Sequence, residues 1–254
     1  MSADLVTALL IFSRIGALLA VFPLWSVQQV PIPLRIGSAV LISAILLPLV
    51  PAASMADASM LELVLVILKE VSVGLILGFL CRIVFGAVEL AGNIVASEMG
   101  FSTANLFNPM AGTSESIPAI ALYWMTLLLM LTGNLHHSIL AALVRSFDIV
   151  PIGTAVLHKE MLPWGLRYAG QMFGMALQMT APVLGCSFLA SLVLSLLGRA
   201  VPQMNVFAES FPVRTLATLT VFGLTCNLMS LHISNYLKRV PMDMLQAAQW
   251  MSPQ

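Results

Sequence analysis

Four stretches of this 254-residue chain contain no Asp, Glu, Lys or Arg over a length that could cross a bilayer: residues 36–56, 116–144, 168–198 and 215–237. A soluble domain cannot hide that much unbroken apolar sequence. Its surface needs roughly a quarter of its residues charged; here 9% are charged and 59% hydrophobic, with a mean hydropathy of +0.99. The pattern therefore predicts an all-α, polytopic protein of apolar helices. A helix through 168–198 would reach roughly 45 Å at about 1.5 Å per residue, beyond a hydrocarbon core of about 30 Å, and Pro182 is expected to kink it.

Charge narrows the function classes. Lys plus Arg and Asp plus Glu are 11 each, the net charge is zero, and the basic residues are scattered, so the footprint of a nucleic-acid partner is missing. Cys81, Cys186 and Cys226 are odd in number and far apart in apolar surroundings, which reads as small core residues rather than disulfides. His136 and His137 are adjacent, so on a helix they diverge by about 100° and do not chelate one ion. His158 and His232 stand alone, no glycine run forms a phosphate loop, and no serine sits in a nucleophile elbow. No catalytic residue, cofactor or metal is expected.

The charges that do fall in apolar sequence need partners. The stretch MSADLVTALLIFSRIGALLAVF lacks the basic n-region of a signal peptide and is expected to be retained, with Arg14 in mid-run. An Arg at mid-span costs about 2.5–3.5 kcal/mol on insertion, so it should face protein, water or an acidic group. Residues 22–35 read as a proline bend, after which a helix resumes at 36–47 and ends at Pro48 and Pro51. Residues 61–98 keep a helical pattern, punctuated by Glu62, Lys69, Glu70, Arg82, Glu89 and Glu98, with no pair at i,i+3 or i,i+4. On a helical wheel Glu62, Lys69 and Glu98 fall near one side and Arg82 and Glu89 near the other, leaving no single wet face. All of these charges are accordingly expected to meet partners on other helices or other subunits, with Arg14, Arg82, Glu89 and Glu98 as inter-subunit charges. With six spans assumed, the flanking basic residues divide five against four and fix no orientation. Gly74 with Gly78, Gly170 with Gly174, and the row Ser187, Ser191, Ser195 mark close helix contacts, within the chain or with partners.

Residues 99–118, MGFSTANLFNPMAGTSESIP, interrupt the apolar pattern. Asn105, Asn108, Pro109, Gly112 and Pro118 supply turns, while Phe101, Leu106, Phe107 and Met110 stay apolar. Such a loop is either a plain connection or a compact segment that inserts into something. Between Arg199 and Arg214, a second turn bracketed by Pro202 and Pro212 carries too many apolar residues to be a merely solvated link, and a contact with another component is expected there. Intramembrane charges such as Arg14 and Glu89 also leave a secondary transporter open as an alternative, although no internal repeat supports it.

Several stretches resemble one family. FSRIGALLAVFPLWSVQQVPIPLRIGSAVLISAILLPLVP, with Arg14, Pro23, Pro31 and Arg35, resembles the N-terminal region of the FliR and type III secretion T-component family of export-gate proteins. MGFSTANLFNPMAGTSESIP, GNLHHSILAALVRSFDIVPIG and the segment PQMNVFAESFPVRTL resemble its central loop, the part following that loop, and its Pro-Gln-x-Asn-x-Phe stretch. Asn108 precedes Pro109 where the family is expected to carry an acidic residue, and His136-His137 replaces a commoner Gly-His. The resemblance implies a non-enzymatic pore subunit of a flagellar or virulence export gate in the bacterial inner membrane, the flagellar basal body being favoured by the Pro202–Leu216 wording. It implies a closed helical ring with P and Q components, an associated switch protein of the B family, membrane lipid around it, and unfolded substrates driven through by the proton gradient. It further implies kinked hairpins, a P-like region over 1–165 and a Q-like hairpin over 166–254. The pore plug would be Phe101, Leu106, Phe107, Asn108, Pro109, Met110 and Gly112, and the partner-contact loop Pro202, Gln203, Met204, Asn205, Phe207 and Phe211.

Overall fold

The computed structural model describes residues 3–26, 30–51, 59–100, 116–156, 158–201 and 206–253, and among them the chain is helical with no strand. In chain order the helices are α1 (Ala3–Val21), the single turn α2 (Pro23–Ser26), α3 (Ile32–Leu46), α4 (Met60–Glu98), α5 (Ile117–Thr132), α6 (Leu135–Ile149), α7 (Met161–Ala200) and α8 (Val206–Met251). By length and composition α1, α4, α7 and α8 are each able to cross a membrane, and α5 with α6 makes a fifth span if the broken pair counts as one.

Local chemistry explains where the helices depart from the sequence reading. α3 starts at Ile32 rather than after the proline bend, because Pro31 and Pro33 sit at its N-terminus, where a missing N–H costs nothing. It stops at Leu46, just before Pro48, so the charge-free run 36–56 yields a 15-residue helix and not a full span. The run 116–144 is likewise not one helix. Gly133 and Asn134 break it, with Asn134 in the left-handed region at φ 53°. α7, by contrast, is assigned as a single helix on both sides of Pro182. α4 opens with a capping box: the Ser59 N–H donates to Glu62 Oε2 at 2.7 Å and the Glu62 N–H to Ser59 Oγ at 3.3 Å. One of the charges that punctuate α4 is thus a helix cap.

The chain divides into two compact units. The first comprises Met1–Val84, Leu131–Tyr168 and Tyr236–Gln254. Its core includes Val6, Leu10 and Val66, with Leu63, Ile67 and Ile152 packed against them. α1 and the first half of α4 approach to backbone contact, and glycine makes that possible. A Cβ on Gly74 would lie 2.2 Å from the carbonyl oxygen of Arg14, and one on Gly78 would lie 2.8 Å from that of Leu18. The paired numbers rise together, so these two helix segments run in the same direction. In this unit Tyr168 Oη also donates to Asp243 Oδ2 at 2.7 Å, and the Val156 N–H donates to the Met251 carbonyl at 3.1 Å, tying down the end of α8.

The second unit comprises Phe85–Met130 and Ala169–Asn235. Gly92 lets α4 meet α5, since a Cβ there would sit 2.2 Å from Ala119 Cα. Phe85 and Tyr123 meet edge to face with centroids 5.5 Å apart. Gly170 and Gly174 have nothing within 4 Å of the position a Cβ would take. The two glycine pairs should therefore respond oppositely to alanine. Gly74→Ala forces apart two backbones and is expected to cost about 1–3 kcal/mol, whereas Gly170→Ala, on an open helix face, should gain about 0.5–1 kcal/mol. Unfolding midpoints of the two variants in detergent check both signs.

Candidate functional site

Two charge clusters stand out, one in each unit. In the first, Arg14 lies wholly buried on α1. Its Nε donates to Glu70 Oε2 on α4 at 2.6 Å, and both side chains are 0% exposed. Nη1 donates to the Ser146 carbonyl at 3.2 Å and Nη2 to the Val150 carbonyl at 3.0 Å, so the cation caps the C-terminal end of α6, where helix carbonyls lack partners and the dipole is negative. The guanidinium also lies over the Phe147 ring, 4.2 Å from its centroid. Glu70 is satisfied in turn, its Oε1 accepting from the Gly153 N–H at 2.9 Å, where Gly153 turns the chain at φ 81°. One buried ion pair thus fastens three helices and the turn after α6, with every nitrogen of Arg14 and both oxygens of Glu70 hydrogen-bonded.

In the second unit, Glu98 ends α4 and accepts from Arg214 Nη2 on α8 at 2.6 Å. Ser187 on α7 donates to the same carboxylate oxygen, and Arg214 Nη2 also donates to Ser187 Oγ at 3.1 Å. Beside them Thr215 Oγ1 donates to the Met99 carbonyl at 2.7 Å, and Gly100, at φ 83°, lies under the Phe211 ring. On α7, adjoining Ser187, an apolar groove of about 760 Å³ is lined by Pro182, Cys186, Leu189, Val193 and Leu197, with Val213 of α8.

Arg14 and Glu98, for which partners on other helices or other subunits were expected, both have them inside the chain. For Arg14 this corrects the inter-subunit reading, because a fully buried guanidinium whose three nitrogens all bond within the chain has no face to offer another subunit. Arg82 and Glu89 are exposed on α4. Phe211, placed by sequence in a loop, is in the second turn of α8 and half-exposed, and Phe207 is also on that helix, because α7 ends at Ala200 and α8 resumes at Val206. The expected plug residues Phe101, Leu106, Phe107, Asn108, Pro109, Met110 and Gly112 lie outside the described residues, as do Pro202, Gln203, Met204 and Asn205. Among the described residues no three His, Cys, Asp or Glu side chains gather as metal ligands would.

Sequence reasoning missed Glu70, Ser146, Ser187 and Arg214 as the partners. A signal for Glu70 was present: Glu70, Gly74 and Gly78 are spaced by four, so the face that carries the glycine contact also carries the carboxylate.

The chain is 33% identical over 212 residues to the flagellar biosynthetic protein FliR of Bacillus subtilis, covering 81% of this chain and 80% of that one. It is 31% identical over 208 residues to the FliR of Escherichia coli, covering 82% and 78%. It is 28% identical over 233 residues to the Yop proteins translocation protein T of Yersinia pestis, covering 91% and 89%. The family described as bacterial export proteins, family 1, matches residues 5–240, and this chain belongs to that family.

Proposed function

We propose that this protein is a structural pore subunit of a type III export gate, the flagellar one, passing unfolded polypeptide across the bacterial inner membrane. The match to export proteins over residues 5–240 carries the reading. It is supported by apolar surface left uncovered. The most hydropathic windows of α7 and α8 are only 17% buried within the chain, against 50% for α1, and Phe173, Phe188, Leu196 and Leu224 stand exposed. Faces of that kind need lipid or partner helices over them. In this reading P and Q components cover much of them in a closed helical ring, with residues 1–165 acting as a P-like region and 166–254 as a Q-like hairpin. The segment before α8 contacts another export component, and a switch protein of the B family is among the partners. The chain contributes no catalysis; it supplies walls, a plug at Phe101–Gly112, and the contact segment that includes Met204 and Phe207.

Gentle detergent extraction followed by native mass measurement tests this. The expected result is a large hetero-oligomer with P and Q components, within which the chain resists protease. A long-lived folded monomer, or a small homo-oligomer of the kind a secondary transporter forms, would overturn it.

A further inference from the structure

We propose that Glu98 and Arg214, with Ser187, Thr215 and Phe211 around them, form a releasable lock that holds the end of α4 on the first turns of α8, closed at rest and open during export. The proposal rests on the pore-subunit reading and adds a regulatory element to it.

The chemistry of the contact separates it from a fixed joint. The Arg14–Glu70 pair is wholly buried within the chain, so parting it would strand two charges. The side chains of Arg214 and Glu98 are 39% and 22% exposed at the surface of the chain, so parting them leaves neither charge enclosed in its interior. Arg214 holds Glu98 through Nη2, while its Nε is buried with no hydrogen-bond partner among the described residues. A guanidinium fork can give a carboxylate two parallel bonds, so the closed state leaves a donor spare that a small rotation would bring into use. Thr215 is equally reversible. Its hydroxyl is within hydrogen-bonding distance of the Met99 carbonyl at 2.7 Å and of the Phe211 carbonyl, one helical turn back, at 2.8 Å, so it retains an acceptor after α4 leaves. The Phe211 ring lies on Gly100, where no side chain interlocks with it. Each of these α8 groups thus has somewhere to go when the contact opens.

Position gives the lock its consequence. It joins the residues immediately before 101 to the helix that begins just after 205. A partner that moves the first turns of α8 therefore moves the end of α4.

The test uses the full-length chain in the assembled export complex, with Cys81, Cys186 and Cys226 replaced by Ala. Glu98→Cys and Arg214→Cys are joined by a bismaleimide after assembly. Export is expected to fall to background while the complex stays intact and its resting ion conductance stays low. In the complementary arm, Arg214→Gln raises resting conductance about three- to ten-fold, and the swap Glu98→Arg with Arg214→Glu restores tightness. Unchanged export in the cross-linked complex overturns the lock, as does an Arg214→Gln complex as tight as the unmodified one. If Arg214→Gln does not assemble, the cross-link arm decides alone, because it acts on complexes already built. The unmodified complex keeps the two ideas apart: if it neither exports nor conducts when polypeptide is engaged, the pore reading fails, whereas normal behaviour in it and in both variants sinks only the lock.

Discussion

Replacing Arg14 by Met is expected to lower the stability of the folded chain by about 3–5 kcal/mol, because Glu70 is then left wholly buried without its cationic partner. Against the roughly 5–15 kcal/mol that holds a typical domain together, that loss is severe. Glu70→Gln should cost less. It keeps an acceptor for the Gly153 N–H, and Arg14 keeps the Ser146 and Val150 carbonyls and the Phe147 face. The double variant Arg14→Met with Glu70→Met should recover most of the loss, since apolar side chains of similar size suit the site once neither charge is present. Insertion should respond in the opposite sense: removing a mid-span Arg eases it by about 2.5–3.5 kcal/mol. Membrane-fraction yield and protease resistance, measured on the same variants, separate the two effects. An Arg14→Met chain that inserts normally and resists protease like the unmodified chain would show that the pair adds nothing to the fold.

The helices were legible because charge-free apolar runs and a period near 3.6 survive in the sequence whatever the tertiary partners are. Their interruptions were less so. Nothing in the composition of 116–144 outweighs its apolar run, yet Gly133 and Asn134, two residues that tolerate left-handed backbone, split it. The prolines near α3 were read as a bend when two of them occupy a helix start, a position that can be told from a bend only once the chain direction on each side is known. Individual charges were visible, and their partnerships were not. Arg14 and Glu70 are 56 residues apart and Glu98 and Arg214 are 116 apart, so the pairing is set by which helices pack together and not by local spacing. Glu62 shows the opposite case. Ser59 three residues before it is a local signature of a capping box, which gives Glu62 its partner without any distant helix.

The plug assignment for the central loop has a test whose result does not depend on the shape of the loop. Both ends of residues 101–115 are tied to the last turns of α4. Met99 and Gly100 continue directly from it under Thr215 and Phe211, and Ser116 Oγ donates to Asn93 Oδ1 at 2.8 Å. Asn93 and Glu98 are five residues apart on one helix, about 8 Å along its axis. Deleting 111–114 leaves 11 residues between the anchors, which when extended reach roughly 36 Å, so the ends stay joined without strain. The deletion should therefore spare assembly while removing Ala111, Gly112, Thr113 and Ser114. With the segment shortened, Phe107 and Met110 no longer reach their place in the constriction, ions gain a wet path, and the resting complex is expected to leak, with growth arrest and increased membrane conductance. Phe107→Ala and Met110→Ala should give weaker versions of the same leak, each removing one side chain and leaving the loop its length. In planar bilayers, an assembled deletion complex that stays ion-tight would make the segment a connector and move the seal of the closed pore to another part of the assembly.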